Sequence, residues 1–492
     1  MTASKVPDPR APAPTSAEGA AETPDEVLMP LYAAQKKIYP RSVSGLFSNW
    51  RWGVVFLTQL VFYGLPWLDW GQRQAVLFDL TARRFYIFGL VLYPQDFIYL
   101  TGLLVISALS LFLFTAVAGR LWCGYACPQT VYTEIFMWIE RKLEGDRSAR
   151  LRRDGQPWSV EKAARKTGKQ LLWIAVALWT GFSFVGYFTP IRGLGGQILM
   201  WEISAWEIFW VFFYSFATYG NAGFMREQVC KYMCPYARFQ SAMFDKDTLI
   251  VTYDTARGEP RGSRSRKADP AQLGLGACVD CDLCVQVCPT GIDIRKGLQY
   301  ECIGCGACAD VCDTVMDKMG YARGLVKYST QNAVKLGWSQ KQIVRHIFRP
   351  RVLVYTSILA GVTLAMFISL GTRIPFKVDV VRDRAVMSRV SDDGRIENLF
   401  RLQIMNATES VQPFRISVSG RPGIALASNG SVSVDSAQSR WVVLSVLAPN
   451  DAEHSEHSEH SEHAGSQPIL FEIESLNGLG KLQEKSVFLM PH

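Results

Sequence analysis

Two runs of cysteine with the same spacing restrict the fold of this chain more than any other feature. The first run is Cys278-Val-Asp-Cys281-Asp-Leu-Cys284-Val-Gln-Val-Cys288-Pro289, and after 13 intervening residues the second places Cys302, Cys305, Cys308 and Cys312. The chain has 12 cysteines in 492 residues, which is far too few for a scaffold built on disulfides. The cysteines are therefore predicted to be metal ligands or redox groups.

This spacing is the one by which bacterial ferredoxins hold two [4Fe–4S] clusters. Three thiolates on one tight loop reach three irons of a cubane, while the fourth cysteine begins the next helix and points toward the other cubane. The predicted ligands of cluster one are Cys278, Cys281, Cys284 and Cys312, and those of cluster two are Cys302, Cys305, Cys308 and Cys288. Zinc would explain four cysteines in CxxC pairs but not two runs of this length. The region is thus predicted to carry single electrons.

The remaining four cysteines form a second, duplicated motif. Cys123-Gly-Tyr125-Ala-Cys127-Pro128 and Cys230-Lys-Tyr232-Met-Cys234-Pro235 share the pattern CxYxCP with a period of 107 residues. On a helical turn, positions i and i+4 place each cysteine pair on one face, and the proline suits the first turn of a following helix. Cysteines at helix ends are also simple buried hydrophobic residues in many proteins. The duplication instead favours a catalytic or metal site formed by Cys123, Cys127, Cys230 and Cys234. Copper, a third cluster and a reversible disulfide remain alternatives, because soft thiolates select Cu(I), zinc or iron–sulfur.

Five apolar stretches approach the ~20 residues that a membrane-spanning helix needs. They are residues 50–68, 97–119, 170–190, 204–225 and 352–371. Residues 1–36 are rich in Ala, Pro and Thr without a signal-peptide pattern, so a disordered tail that stays in the cytoplasm is predicted. None of the 6 histidines lies in these stretches, which excludes haem b held by two histidines.

The flanking charges predict the orientation of these helices. Residues 120–169 carry many basic residues, whereas Arg192 is the only one in 191–203. By the positive-inside rule the basic loop is cytoplasmic. An odd number of helices then places the C-terminal region in the periplasm of a Gram-negative cell. The net charge of +8 is mostly this topology signal, so no nucleic-acid partner is predicted.

The C-terminal region has the pattern of a small antiparallel sandwich. Alternating runs such as 399–405, 414–418 and 441–446 are separated by turns rich in Asn, Gly, Pro and Ser. Within it, a Ser-Glu-His repeat supplies His454, His457, His460 and His463. This repeat is either a copper or nickel sink or, more in keeping with low-complexity tracts, a solvated loop insertion.

The order of these motifs resembles a known family. The two CxYxCP motifs, residues 221–229 before the second, and residues 291–295 and 297–301 between the ferredoxin halves are similar to the cytochrome c oxidase accessory proteins called CcoG, FixG or RdxA. The resemblance runs from about Lys37 to the end of the chain. It implies a membrane polyferredoxin with an immunoglobulin-like C-terminal domain that helps to assemble the cbb3-type haem-copper oxidase. It also implies the activity of a cupric reductase.

These observations together predict a multi-domain membrane protein. Its parts are a helical transmembrane bundle, a cytoplasmic bacterial-type 2[4Fe–4S] ferredoxin domain and an all-β immunoglobulin-like sandwich. The predicted boundaries are 1–36 for the tail, 37–245 for four helices and both CxxxCP motifs, 246–351 for the ferredoxin, 352–371 for the fifth helix and 372–492 for the periplasmic domain.

The predicted activity is one-electron transfer from a cytoplasmic or quinol donor to Cu(II) near the CxxxCP motifs. Cu(I) is stabilised by thiolates whereas Cu(II) prefers nitrogen and oxygen ligands, so the same site reduces copper and holds the product. Predicted partners are the bilayer of the bacterial inner membrane, copper ions and cbb3-type oxidase subunits or assembly factors. The alternatives are a non-catalytic assembly scaffold that senses redox state, and an electron relay to another membrane reductase.

Overall fold

The computed structural model of the chain describes residues 37–270, 272–383, 388–391, 393–449 and 465–490. The tail 1–36 and the histidines of the Ser-Glu-His repeat lie outside the described residues, so the expectations for both stay predictions. All elements given below belong to one unit that begins at Tyr39.

The N-terminal half is mainly helical, with a small sheet between its first two long helices. Its elements in chain order are α1 (Leu46–Gly64), β1 (Asp69–Trp70), β2 (Arg73–Gln74), β3 (Val76–Asp79), β4 (Arg84–Ile87), β5 (Leu90–Leu92), α2 (Phe97–Ala118), α3 (Leu121–Tyr125), α4 (Pro128–Glu144), α5 (Arg147–Gly155), α6 (Val160–Val185), α7 (Ile191–Met200), α8 (Ala205–Gly220), α9 (Arg226–Gln228) and α10 (Pro235–Met243).

Helices occupy the first four predicted apolar stretches, but their ends differ from the prediction. α6 begins at Val160 rather than at residue 170, because Ser159 caps it by accepting a 3.2 Å hydrogen bond from the Lys162 backbone and the basic residues that follow are also helical. Hydropathy detects only the apolar part of such a helix. α8 ends at Gly220, where the backbone changes to a π-helical segment at Asn221–Met225.

Among the described residues, three helices are long and apolar enough to cross a membrane. They are Pro94–Ala118, Val160–Val185 and Pro350–Gly371. In the first and last of these, almost the whole apolar stretch is exposed in the protein, as expected for helices that face lipid. α1 contains the buried Arg51 and α8 has only 16 helical residues, so the count of five spans stays a prediction.

The ferredoxin region is built from short helices and one pair of strands. Its elements are β6 (Ile250–Tyr253), α11 (Thr255–Gly258), α12 (Leu283–Gln286), α13 (Ala307–Met319), β7 (Val326–Ser329), α14 (Gln331–Leu336) and α15 (Gln340–Ile347). β6 and β7 pair antiparallel. Each cysteine run begins in a loop and continues into a helix, α12 for the first run and α13 for the second. Gly306 supplies the positive φ of 72° that starts α13, where a Cβ would meet Phe47 at 2.8 Å.

The last long helix leads into a two-sheet sandwich. The elements are α16 (Pro350–Gly371), β8 (Phe376–Arg382), β9 (Arg389–Val390), β10 (Ile396–Asn406), β11 (Gln412–Ser419), β12 (Ala425–Leu426), β13 (Ser431–Val434), β14 (Ser439–Ala448), β15 (Ser466–Ser475) and β16 (Lys481–Leu489). One sheet has the order β12-β14-β10-β8 with β9 beside β10, and the other has the order β13-β11-β15-β16. The described pairings are antiparallel. Both sheets bury phenylalanines in one core, so the predicted sandwich is confirmed.

The sandwich and the ferredoxin region contact opposite ends of α2. At the start of α2, the Asp96 carboxylate accepts a hydrogen bond from the Tyr93 backbone at 3.1 Å and pairs with Arg373 at 3.1 Å. At its end, Val117 accepts a 3.0 Å hydrogen bond from Leu249, which precedes β6. The β3-β4-β5 sheet, which the sequence did not predict, adds buried side chains against the sandwich.

Candidate iron–sulfur site

Four cysteines line a cavity between α12 and α13. They are Cys278, Cys281, Cys284 and Cys312. Cys312 comes from the second run, in agreement with the predicted exchange of the fourth ligand. The remaining wall is largely apolar, and Arg295 closes one side while its guanidinium pairs with Asp280 and Asp282 at 2.6 Å each. The structure therefore brings together the thiols expected for cluster one.

A second cavity shares one lining residue, Cys284, with the first. Its cysteines are Cys288, Cys302, Cys305 and Cys308, with Cys284 at its border. Cys288 is the fourth cysteine of the first run, so the exchange between runs is reciprocal. Cys284 lines both cavities, which places the two candidate cluster sites next to each other.

The donors of both cavities fit [4Fe–4S] clusters. Burial raises the pKa of Cys302 and of Cys312 to about 12, and that of Cys284 to about 11. Such thiols stay protonated unless a cationic group binds them. No three His, Cys, Asp or Glu side chains in the described part of the chain are grouped to hold a single metal ion. A cubane suits the wider arrangement, because each thiolate binds a different iron. The assignment of individual ligands nevertheless stays a prediction.

The CxxxCP cysteines lie at helix ends near one another. Cys123 is in α3, and Cys127 immediately precedes α4. Cys230 is in a second π-helical segment, Val229–Met233, and Cys234 precedes α10. Burial raises the pKa of Cys123 to about 11 and of Cys230 to about 12, and the neighbouring CxxxCP thiols raise both further. The pseudo-repeat thus brings the four thiols within electrostatic reach of one another.

The local geometry of these motifs differs in one respect from the prediction. Each cysteine pair was expected on one face of a single helical turn, but a helix begins anew at Pro128 and at Pro235. Proline has no N–H for the intrahelical bond and suits the first position of a helix instead. The predicted position of the prolines is therefore confirmed, and the continuous turn is wrong.

The first CxxxCP motif packs directly on the second cysteine run. A Cβ added to Gly124 would lie 2.8 Å from the Ile303 carbonyl oxygen and 2.9 Å from the Cys305 backbone nitrogen. Cys123 packs against the same buried cluster of side chains. The motif and the candidate site of cluster two are therefore in van der Waals contact through a residue without a side chain.

Two further side chains, which sequence reasoning missed, hold this contact together. The Arg120 guanidinium is buried and donates to the carbonyl oxygens of Tyr300 and Ala237, so it joins the ferredoxin to α10. Tyr328 donates a 2.7 Å hydrogen bond to the Gly304 carbonyl, and its hydroxyl lies 3.2 Å from that of Tyr125. The sequence signals for these contacts were Tyr125 and Gly124 in the first CxxxCP motif. The spacing of a motif, however, does not predict which distant residues its side chains contact.

Family models match three parts of the chain. A 4Fe–4S dicluster domain matches residues 225–331, a 4Fe–4S binding domain matches residues 100–145, and the IG-like fold at the C-terminal of FixG matches residues 366–491. The match at 100–145 includes the first CxxxCP motif. The fold and the site thus define a membrane-associated iron–sulfur protein of the dicluster ferredoxin class with an immunoglobulin-like domain.

Relatives along most of the chain identify the family. RdxB of Cereibacter sphaeroides is 40% identical over 416 residues, which is 83% of this chain and 87% of RdxB. The nitrogen fixation protein FixG of Rhizobium meliloti is 38% identical over 437 residues, covering 82% of this chain and 83% of FixG. RdxA of Cereibacter sphaeroides is 39% identical, covering 82% and 87%. The chain therefore belongs to the FixG, RdxA and RdxB family, and the family resemblance drawn from its cysteine motifs is confirmed.

Proposed function

We propose that this protein receives single electrons in its ferredoxin domain and uses them to reduce Cu(II) to Cu(I) beside the CxxxCP motifs. The Cu(I) would serve the maturation of the copper centre of a cbb3-type oxidase. The contact of Gly124 with the backbone of Cys305 carries the proposal. Because of this contact, the CxxxCP thiols lie close to the site of cluster two, so an electron has only a short distance to travel between them.

The eight ferredoxin cysteines would hold the cofactors in two sets. Cluster one would take Cys278, Cys281, Cys284 and Cys312, and cluster two Cys302, Cys305, Cys308 and Cys288. When bound, [4Fe–4S] clusters supply one-electron transfer at a potential set by their surroundings. The polypeptide contributes the apolar walls that exclude water, and the buried Arg120, whose positive charge lies near the thiols of both Cys302 and Cys123.

The four CxxxCP thiols supply the ligands that favour the reduced ion. Thiolates stabilise Cu(I) relative to Cu(II), so copper at these residues is easier to reduce than copper in water. The side chain of Gln240 lies against Cys123, with its amide nitrogen 3.4 Å from the sulfur.

The proposed location is the bacterial inner membrane, with the ferredoxin domain in the cytoplasm and the sandwich in the periplasm. The contacts at opposite ends of α2 support domains on opposite sides. The basic loop supports the cytoplasmic side for the ferredoxin. On this topology, the sandwich is the surface available to oxidase subunits or assembly factors.

The test uses the full-length protein with its clusters reconstituted. Replacing both Cys127 and Cys234 by serine should abolish Cu(I) retention and slow Cu(II) reduction, while EPR of the reduced protein still shows both clusters. Anaerobic counting with a chromogenic Cu(I) chelator measures retention and rate together. Wild-type reduction rates in this double variant would show that copper is reduced elsewhere. Loss of both clusters would show that these cysteines are structural.

A further inference from the structure

A cavity lies inside the helical domain, apart from those at the ferredoxin cysteines. It has a volume of about 320 Å³ and is walled by residues of α1, α4, α6 and α8. Ala126 and Pro128, the two neighbours of Cys127, form one end of it. The volume is at the lower end of the range for small-molecule sites. The cavity therefore extends from the interior of the helical domain to the first CxxxCP motif.

One polar atom in this cavity has no partner. The side-chain oxygen of Gln59 is buried and accepts no hydrogen bond from any described residue, although the same side chain hydrogen-bonds the Tyr132 hydroxyl. A carbonyl oxygen without a donor is costly in a bilayer, where water does not compensate it. The hydroxyls of Thr58, Thr180 and Thr218 donate to carbonyls of their own helices at 2.8–2.9 Å. The Thr180 oxygen already accepts a 2.9 Å hydrogen bond from the Tyr63 hydroxyl, whereas those of Thr58 and Thr218 can still accept. The cavity therefore presents several acceptors and calls for a ligand with hydroxyl donors.

The rest of the wall favours a flat ring over an acyl chain or water. Phe62, Phe184 and Tyr214 supply aromatic surface, and the Tyr132 hydroxyl adds a polar group on the α4 side. An acyl chain would leave the Gln59 oxygen unpaired, and water alone would cover aromatic surface at a hydrophobic cost. An aromatic ring with hydroxyl groups can stack against the aromatic side chains and donate hydrogen bonds to the acceptor oxygens.

We propose that this cavity binds the head group of a membrane quinol, and that the quinol is the reductant. The role as reductant rests on the proposed copper reduction. One quinol loses two electrons and two protons to become a quinone, and two Cu(II) ions become two Cu(I) ions. The protons go to water. The position of Ala126 and Pro128 in the wall places the donor beside the CxxxCP motif that packs on the site of cluster two, so the clusters can take the two electrons one at a time before copper receives them.

Binding can be measured without any turnover. The cluster-loaded, full-length protein in nanodiscs is photolabelled anaerobically with a reduced azidoquinone, with decylubiquinol as competitor, and the labelled peptides are mapped. Label should fall on α1 or α4 and decrease with competitor. Gln59→Leu should weaken decylubiquinol binding about tenfold, the value of roughly one hydrogen bond from a quinol hydroxyl to the Gln59 oxygen. Val131→Phe, which fills the cavity from α4, should abolish it. Label that maps elsewhere, or that decylubiquinol does not displace, would overturn the site.

Gln197→Leu is a matched control. The Gln197 side-chain oxygen is also buried without a described partner, but the residue does not line this cavity. It should bind decylubiquinol as the wild type does. Equal affinities in the Gln59 and Gln197 variants, with iron content unchanged in both, would mean that the unpartnered oxygen does not recognise the ligand.

A second measurement separates this inference from the proposed copper reduction. The ratio of quinol-driven to dithionite-driven Cu(II) reduction should fall about tenfold in Gln59→Leu and stay constant in Gln197→Leu. If the wild type reduces copper with dithionite but not with quinol, the quinol is not the reductant while the copper proposal stands. If neither donor drives reduction yet the azidoquinone labels α1 or α4, the copper proposal fails and the binding site stands.

Discussion

The Asp310 carboxylate accepts a 2.7 Å hydrogen bond from the backbone N–H of Ser48. Asp310 lies in α13 between Cys308 and Cys312, and Ser48 lies in the first turn of α1. The same carboxylate accepts a 3.1 Å bond from Phe47. A helix that carries cluster ligands therefore caps the N-terminus of a helix of the membrane domain, which holds the ferredoxin domain in one position.

Asp310→Ala should destabilise this junction. Loss of the cap leaves N–H groups of α1 unpaired and should cost about 1–2 kcal/mol of stability. Thermal unfolding and limited proteolysis of the purified protein measure the change. Asp317→Ala is the control on the same helix, because Asp317 is exposed and its pair with Arg323 lies at the surface. Equal effects of the two changes would contradict the capping role.

Cys281→Ser should remove cluster one and spare cluster two. Cys281 lines only the first cavity, and serine oxygen is a poorer donor to iron than a thiolate. Total iron should fall from about eight to about four per chain. EPR of the reduced protein should lose the signal of one cluster and its coupling to the other. An unchanged spectrum would refute the ligand assignment.

Cys284→Ser should behave less simply. Cys284 is a predicted ligand of cluster one, yet its side chain also borders the second cavity. We expect loss of cluster one and a shifted signal from cluster two, measured by the same EPR experiment.

Gly124→Ala should disturb the contact between the CxxxCP motif and the second cysteine run. The added methyl group meets backbone atoms of Ile303 and Cys305 at 2.8–2.9 Å, and these atoms have no rotamer that relieves the clash. The strain should cost about 1–3 kcal/mol and slow Cu(II) reduction. Gly53→Ala is the control, because a methyl group there meets no atom within 4 Å. A wild-type reduction rate in Gly124→Ala would show that this contact is not on the electron route.

Reporter fusions test the topology. Alkaline phosphatase fused after Asp317 should be inactive, because the ferredoxin domain is predicted in the cytoplasm. Fusion after Val378 should be active, because the sandwich is predicted in the periplasm. The opposite pattern at either site would exclude the proposed orientation.

Glu140→Gln should lower the free energy of unfolding far more than the same substitution of an exposed glutamate. Burial alone would raise the pKa of Glu140, but the cations around it, Arg226 at 2.8 Å, Arg150 and Lys169, lower that pKa below its ordinary 4.5. Removing one partner of such a buried group costs about 3–5 kcal/mol. Glu161→Gln is the control, because that carboxylate is exposed and its surface ion pair with Arg165 is worth about 0–1 kcal/mol.

The pH dependence of this difference has a definite sign. Because the folded-state pKa of Glu140 is depressed, its contribution is fully present above 4.5 and is lost as the pH falls through the lower folded-state value. Thermal unfolding at neutral and at acidic pH should show the gap between wild type and Glu140→Gln closing in acid. A gap that stays constant would mean that the charge of Glu140 does not stabilise the fold.

Spacing predicts two cysteine sets in which each cluster draws its ligands from both short runs. The structure places Cys312 in the wall of the first cavity and Cys288 in the wall of the second, while their role as cluster ligands stays a prediction. Alternation likewise predicted the sandwich strands around Phe400 and Phe414. Every second side chain is buried from Asn398 to Ile404 in β10 and from Gln412 to Ile416 in β11.

Contacts between distant parts of the chain were not predictable from such patterns. Gly124 meets Cys305 across about 180 residues of sequence, and no local periodicity encodes that approach. The end of α8 was missed for a different reason. Residues 221–225 are apolar enough to continue an α-helix, but the backbone there is π-helical, a deviation that hydropathy does not detect.

The basic residues of the loop act twice, first in setting the orientation of the chain in the membrane and then in ion pairs with α4. On the proposed topology, the basic residues of segment 120–169 orient the chain while it enters the membrane, when they are still unpaired. After folding, Arg150 and Lys169 are buried against Glu140 and Glu144. The same basic residues thus first determine on which side of the membrane the loop stays, and then stabilise the folded protein as buried ion pairs. Neutralising one of them would then produce two separable defects, chains inserted the wrong way round and correctly inserted chains that unfold readily.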